Sequence, residues 1–360
     1  MAWSRVLTFA DPLCCQAAIL SADVEILPTT REIFQAEITQ VGTHRLWTQH
    51  FHVSSPQVCT IAYKPGRQSI DFLTEANSSP LQHCGMDVLP GDIIVNALDV
   101  AHRRSGPNLD YGSMSLPIDE LHTAFSAILG ADFKQSAGQP IIHPRPELMS
   151  RLLKLHKVVG QLAHDTPDIL QVPEVLRALE NELVHTMARC LAESSGIETS
   201  TGHRRHKAIV ARFEEFLAAN SDRPLYLTEI CAGIGVAERT LRGACEEHVG
   251  MGPIRFLTLR RMHLVRRALL QANPSKSTVT RIVTDHGFWE LGRFSVSYRA
   301  LFGESPSETL QRAARGPEVR ADGSSAPPAH LMAASTKLNR AVDRRRSFLN
   351  GPGGSPTWMS

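Results

Sequence analysis

The chain has 360 residues, 42% of them apolar and 21% charged, which is enough for two domains with real cores and a further tail. No run of 18 apolar residues occurs, so a membrane-spanning helix is excluded. A net charge of +2 conceals an asymmetry: residues 1–202 carry −8, residues 203–315 carry +7 and residues 316–360 carry +3. The basic part is therefore the one expected to meet a polyanion. Near the start, Asp11 and Pro12 interrupt the apolar residues before a signal core can form. Seven scattered cysteines without a CxxC pair fit reduced thiols, and a cytoplasmic protein is expected.

From about 20 to 118 the pattern is short and strand-like, as in Ile33–Ile38, Val58–Tyr63 and Ile93–Val95. Turn signals separate the strands: Pro65-Gly66, Ser79-Pro80, Pro90-Gly91-Asp92 and Gly106-Pro107-Asn108. Many short strands at this spacing predict a small sandwich or barrel. The period then changes, and 119–129, 147–164 and 172–193 read as helices. In the last, Leu176, Leu179, Leu183 and Cys190 form a heptad-like stripe beside Met187. Such a stripe is either a coiled-coil dimer seam or a face packed on the strand-rich domain, and the dimer is the favoured expectation. Residues 194–206 read as a polar linker, 207–313 as almost wholly helical, and 314–360 as a disordered tail.

The helical part contains an internal repeat. Thr228, Ile230, Gly235 and Val236 recur 52 positions later as Thr280, Ile282, Gly287 and Phe288. Leu241, Gly250 and Pro253 recur 53 positions later as Phe294, Gly303 and Pro306. In each unit the threonine is placed to cap a short helix, the isoleucine to bury one face, and Gly235 or Gly287 to leave the helix with positive φ. A second helix follows. It turns Leu241, Ala244 and Cys245, or Phe294, Val296 or Ser297, and Tyr298 inward. Short helix, glycine turn and second helix make a helix-turn-helix, whose second helix enters the major groove. Between the units, residues 253–270 read as one helix with Phe256, Leu257, Leu264, Val265 and Leu269 on its apolar stripe. About 18 residues give a rod near 27 Å, shorter than a duplex turn of roughly 34 Å, so bound DNA is expected to bend.

These residues resemble the AraC-type (AraC/XylS) family of bacterial transcriptional regulators over about 207–313. The matching stretches are Glu238-Arg239-Thr240-Leu241, Gly250-Met251-Gly252-Pro253, Arg260-Arg261-Met262, His286-Gly287-Phe288 and Phe302-Gly303-Glu304-Ser305-Pro306-Ser307. The resemblance implies an α+β protein of two domains. An N-terminal small β-barrel or cupin-like domain with flanking helices, within 1–193, binds an effector or mediates dimerisation. The C-terminal domain is all-α, with about seven helices and two helix-turn-helix motifs. It implies DNA contacts from Glu238, Arg239, Thr240 and Arg242 in unit one and from Glu290, Leu291, Arg293 and Ser295 in unit two. Arg261 is expected to brace the joining helix. Implied partners are double-stranded DNA, RNA polymerase, a small-molecule effector and a second copy of the chain, in a regulator that includes activators. Gly243, Cys245 and Val296 depart from the family pattern.

His83, Cys84 and His102 lack the closely spaced histidine pair that a cupin metal centre needs, so neither metal nor cofactor is expected. No phosphate loop, nucleophile triad or paired-carboxylate motif occurs, and no catalytic residue is expected. The rival readings are a cupin-type enzyme tethered to DNA and a constitutive architectural DNA-binding protein without an effector.

Overall fold

The computed structural model describes residues 3–96, 100–130, 140–196, 199–220 and 223–315. The expected disordered tail falls almost wholly in 316–360, outside the described residues. In chain order, the N-terminal part comprises β1 (Trp3–Phe9), α1 (Pro12–Ala18), β2 (Ala22–Pro28), β3 (Ala36–Gly42), β4 (Trp47–Val53), β5 (Gln57–Tyr63), β6 (Arg67–Leu73), β7 (Leu81–His83), β8 (Met86–Val88), β9 (Ile93–Asn96), β10 (Val100–Ser105) and β11 (Leu109–Pro117). It continues with α2 (Ile118–Leu129), β12 (Ile141–Pro144), α3 (Pro146–Asp165), α4 (Pro173–Ala192) and β13 (Ser194–Gly196). The remainder is helical: α5 (Thr201–Ala219), α6 (Leu227–Ile234), α7 (Glu238–His248), α8 (Pro253–Gln271), α9 (Val279–Asp285), α10 (Leu291–Phe302) and α11 (Pro306–Arg315). No helix among the described residues is long and apolar enough to cross a membrane.

The strands form two open antiparallel sheets and do not close into one barrel. One runs β1-β3-β4-β11-β6-β9-β12-β13 and the other β2-β5-β10-β7-β8. Ile26, Cys59 and Ile61 of the small sheet bury against Ile38, Phe51 and Val53 of the large one. The large sheet is buried on its other face as well, where Ile70, Phe72, Met114 and Leu116 meet α2, α3 and α4. Strand side chains alternate between faces, so Asp71, between Ile70 and Phe72, points into the sandwich and pairs with Arg103.

Two expectations change here. Leu183, Met187 and Cys190 of α4 are fully buried in the core of their own chain, so this face is not free to be a coiled-coil seam. The expected linker is also shorter. Ser194–Gly196 pairs with β12, and α5 starts at Thr201, where Ser200 accepts the His203 N–H as an N-cap.

The small sheet packs directly on the helical part. Leu27 and Val58 share a core with Phe213, Phe256 and Leu257. Polar contacts cross the same boundary: His102 Nε2 to Glu214 Oε1 at 2.9 Å, Arg260 Nε to Glu25 Oε2 at 3.0 Å, and His263 Nε2 donating to the Pro28 carbonyl at 3.0 Å. Burial alone would raise the Glu214 carboxyl, but its hydrogen bond to His102 and nearby Arg260 hold it below its ordinary value.

Burial pushes the His156 and His263 imidazoles down to about 4 and His83 to about 3. Above the ordinary histidine value of 6.5 these rings are neutral whether the chain is folded or not. Below it only the unfolded chain takes up the protons, so stability declines from pH 6.5 towards 4, by up to about 1.4 kcal/mol per pH unit for each histidine. Glu214 contributes its loss only below its ordinary 4.5. The thermal midpoint is therefore expected to fall steadily between about pH 6.5 and 5, and a flat profile there would contradict the burial of these rings.

Candidate nucleic-acid interface

The two repeats fold alike down to individual hydrogen bonds. In unit one Ile230 and Ile234 bury the inner face of α6, and Gly235 ends it at φ +65°. The Gly235 N–H donates to the Ala232 carbonyl at 3.3 Å and the Val236 N–H to Cys231 at 3.0 Å. In unit two Ile282 and Val283 are buried, and Gly287 has φ +79°. The Gly287 N–H donates to Thr284 at 2.9 Å and the Phe288 N–H to Val283 at 3.2 Å, the same pairs shifted by 52 positions. The expected inward residues Leu241, Ala244, Cys245, Phe294 and Tyr298 are all buried. Gly303 caps α10 at φ +77°, and Pro306 opens α11.

The helix starts differ from the expectation. The cap of α9 is Thr278, whose hydroxyl accepts the Arg281 N–H at 3.3 Å, and Thr280 lies inside the helix. Thr228 likewise lies inside α6, whose first flanking residue, Tyr226, makes no side-chain cap. Leu227 and Val279 draw both helices back by packing against the two subdomain cores.

One helix carries both units. Phe256 and Leu257 of α8 close the first core, while Met262, Val265 and Leu269 close the second. Leu264, expected on the same stripe, is half-buried. Arg261 lies over the Phe288 ring at 5.2 Å and donates to the Leu257 carbonyl at 3.4 Å, a position that ties α8 to the second turn.

Of the residues expected at DNA, Glu238, Arg239 and Arg242 on α7 and Glu290, Arg293 and Ser295 around the start of α10 are exposed. Thr240 is half-buried, and Leu291 is half-buried against the second core. Arg242 pairs with Glu238 at 2.9 Å and Arg293 with Glu290 at 2.8 Å. Exposed pairs of this kind contribute about 0–1 kcal/mol, whereas a bidentate guanine contact is worth about 1–3 kcal/mol, so the pairing does not withhold either arginine from a base. The Ser295 hydroxyl donates to the Leu291 carbonyl at 2.8 Å.

A family model described as "Helix-turn-helix domain" matches residues 230–312. A probable thc operon regulatory protein of Rhodococcus erythropolis is 32% identical over 171 residues, 44% of this chain and 51% of that protein. XylDLEGF operon transcriptional activator 1 of Pseudomonas putida is 33% identical over 101 residues, 28% of this chain and 30% of that protein. These matches span about half of the first relative and less of the second. The crystal structure of a probable AraC family transcriptional regulator from Rhodopseudomonas palustris is 36% identical, covering 29% of this chain and 97% of that one, with a TM-score of 0.27. The chain belongs to the AraC family of transcriptional regulators.

In this AraC-type chain the sequence reading missed two apolar residues beside the second unit. Trp289 is 70% exposed in the turn before α10, and Val296 is 72% exposed on it. Either Val296 or Ser297 was expected to point inward, and both are exposed. Helical periodicity held the signal, since Val296 lies about 200° around the helix from buried Phe294. In the N-terminal part, a cavity between the sheets is walled by Ile26, Phe51, Val53, Ile61 and Tyr111, with the Asp71–Arg103 pair on its lining.

The two turn glycines make a graded test. An added Cβ at Gly235 would meet nothing within 4 Å, but at Gly287 it would lie 2.6 Å from Pro224 Cβ. Gly235→Ala should cost about 1–2 kcal/mol, the left-handed penalty alone. Gly287→Ala should cost more, because Pro224 must also move. Equal losses in denaturant unfolding would contradict the difference in packing.

Proposed function

We propose that the chain is a sequence-specific DNA-binding transcriptional regulator whose helices α7 and α10 enter adjacent major-groove segments of double-stranded DNA. The observation that carries this reading is the repeated pair of exposed second helices fixed on α8, with Arg242 exposed on α7 and Arg293 exposed on α10. Arg242 and Arg293 read guanine edges, while Glu238, Arg239, Thr240, Glu290, Leu291 and Ser295 complete the two contact surfaces. Val296 and Trp289 add apolar surface suited to thymine methyl groups.

The strand-rich part, residues 1–193, is the effector-binding or dimer-forming domain of cupin-like type, and the helical part from Thr201 onward binds DNA. The cavity between the sheets suits a small molecule with an apolar body and a polar group facing Arg103 and Asp71. The thc and XylDLEGF relatives are named as operon regulators, and an activator that contacts RNA polymerase fits that company.

Selection of bound fragments from a random DNA pool tests the reading. Each of Arg242→Ala and Arg293→Ala should lose preference at its own base positions by about 10-fold, and leave the other unit's positions unchanged. Loss of affinity that is uniform across all sequences would make the two arginines phosphate contacts and overturn their assignment.

A further inference from the structure

A cluster of donors outside the DNA-facing surface joins α5 to the end of α7. His203 and His206 lie three residues apart on α5 and so share a face. His203 Nδ1 lies 2.7 Å from Glu247 Oε1, and His206 Nδ1 hydrogen-bonds Glu247 Oε2. His248, the last residue of α7, places Nε2 3.7 Å from the same Oε1, and its ring lies 4.4 Å from that of His203, tilted by 34°. The donor atoms of His203, Glu247 and His248 all lie within 4.8 Å of one another.

A hydrogen-bonded carboxylate between two imidazoles would account for His203, His206 and Glu247, but not for His248. Its side chain is only 1% exposed, and Nε2 is a buried polar atom with no hydrogen-bond partner. Buried polar atoms are almost always paired, so one aimed at a cluster of donors points to a ligand.

We propose that His203, His206, Glu247 and His248 bind one first-row divalent cation of the Zn2+ class and so clamp α5 to the C-terminal end of α7. Three imidazoles and a carboxylate suit a borderline ion and a tetrahedral arrangement. They do not suit Ca2+ or Mg2+, which prefer oxygen ligands. The cation takes the place of the hydrogens that the His203 and His206 Nδ1 atoms share with the carboxylate, so these two rings keep a proton on Nε2, while His248, ligating through Nε2, keeps its own on Nδ1. The β7–β8 turn packs on the end of α7 beside the cluster: a Cβ on Gly85 would lie 2.4 Å from the Glu247 carbonyl oxygen.

The test uses the full chain without a histidine tag, stripped of metal and titrated with Zn2+ against a chromophoric chelator. One Zn2+ per chain is expected, with a rise in thermal midpoint. Co2+ should give visible bands of tetrahedral type without a thiolate charge-transfer band. His206→Ala changes a residue at the accessible rim, so it should fold while weakening Zn2+ binding by about 10–100-fold. His203→Gln with His248→Gln should abolish binding. Absence of stoichiometric Zn2+ in the wild type, unchanged affinity in His206→Ala, or a thiolate band with Co2+ would each overturn the assignment.

Discussion

The architecture depends on α8 being a wall of two cores at once. Phe256 and Leu257 complete the core under α6 and α7, and Met262, Val265 and Leu269 complete the core under α9 and α10. Neither subdomain can tilt independently without opening a packed interior, which costs several kcal/mol for even one large side chain left facing a cavity. The spacing of the two exposed second helices is therefore a property of one rigid helix. Gly235 and Gly287 then turn each chain sharply enough to aim α7 and α10 outward.

The N-terminal part grips the same rod. Arg260 of α8 reaches Glu25, His263 of α8 reaches the Pro28 carbonyl, and His102 holds Glu214 on the neighbouring α5. All three contacts involve strands of the small sheet, which also forms one wall of the cavity. An effector in that cavity could alter DNA binding only by unequal affinity for two arrangements of this boundary. The physical route is short, because the sheet lining the cavity and the sheet touching α8 are the same.

What the sequence disclosed was what local chemistry repeats. The positive-φ glycines, the prolines opening α8 and α11, and the inward Leu241 and Phe294 could be read from spacing alone, because each follows from one turn of helix. The caps were misplaced, since Leu227 and Val279 pull both helices back through tertiary packing that no local rule contains. The choice between Val296 and Ser297 as the inward residue failed both ways, because the core side of α10 is taken by Phe294 and Tyr298, four residues apart. The stripe on α4 was real, but its partner proved to be the sheet of its own chain, and a heptad pattern does not say which surface it meets. Glu25, His102 and Glu214 were illegible for a different reason. Each is a single polar residue whose meaning arises only when distant segments meet, and the same holds for Glu247 beside His203 and His206.

The most direct measurement of the central claim is a hydroxyl-radical footprint of the full chain on a fragment selected for binding. Repeating it with about half a helical turn, roughly 5 base pairs, inserted between the protected segments completes the test. Two units fixed on one rod should protect two stretches about one turn apart on a single face of the duplex, and the insertion should abolish one of them and most of the affinity. A single protected stretch, or full protection of both segments after the insertion, would show that α8 does not hold the two helices to one spacing.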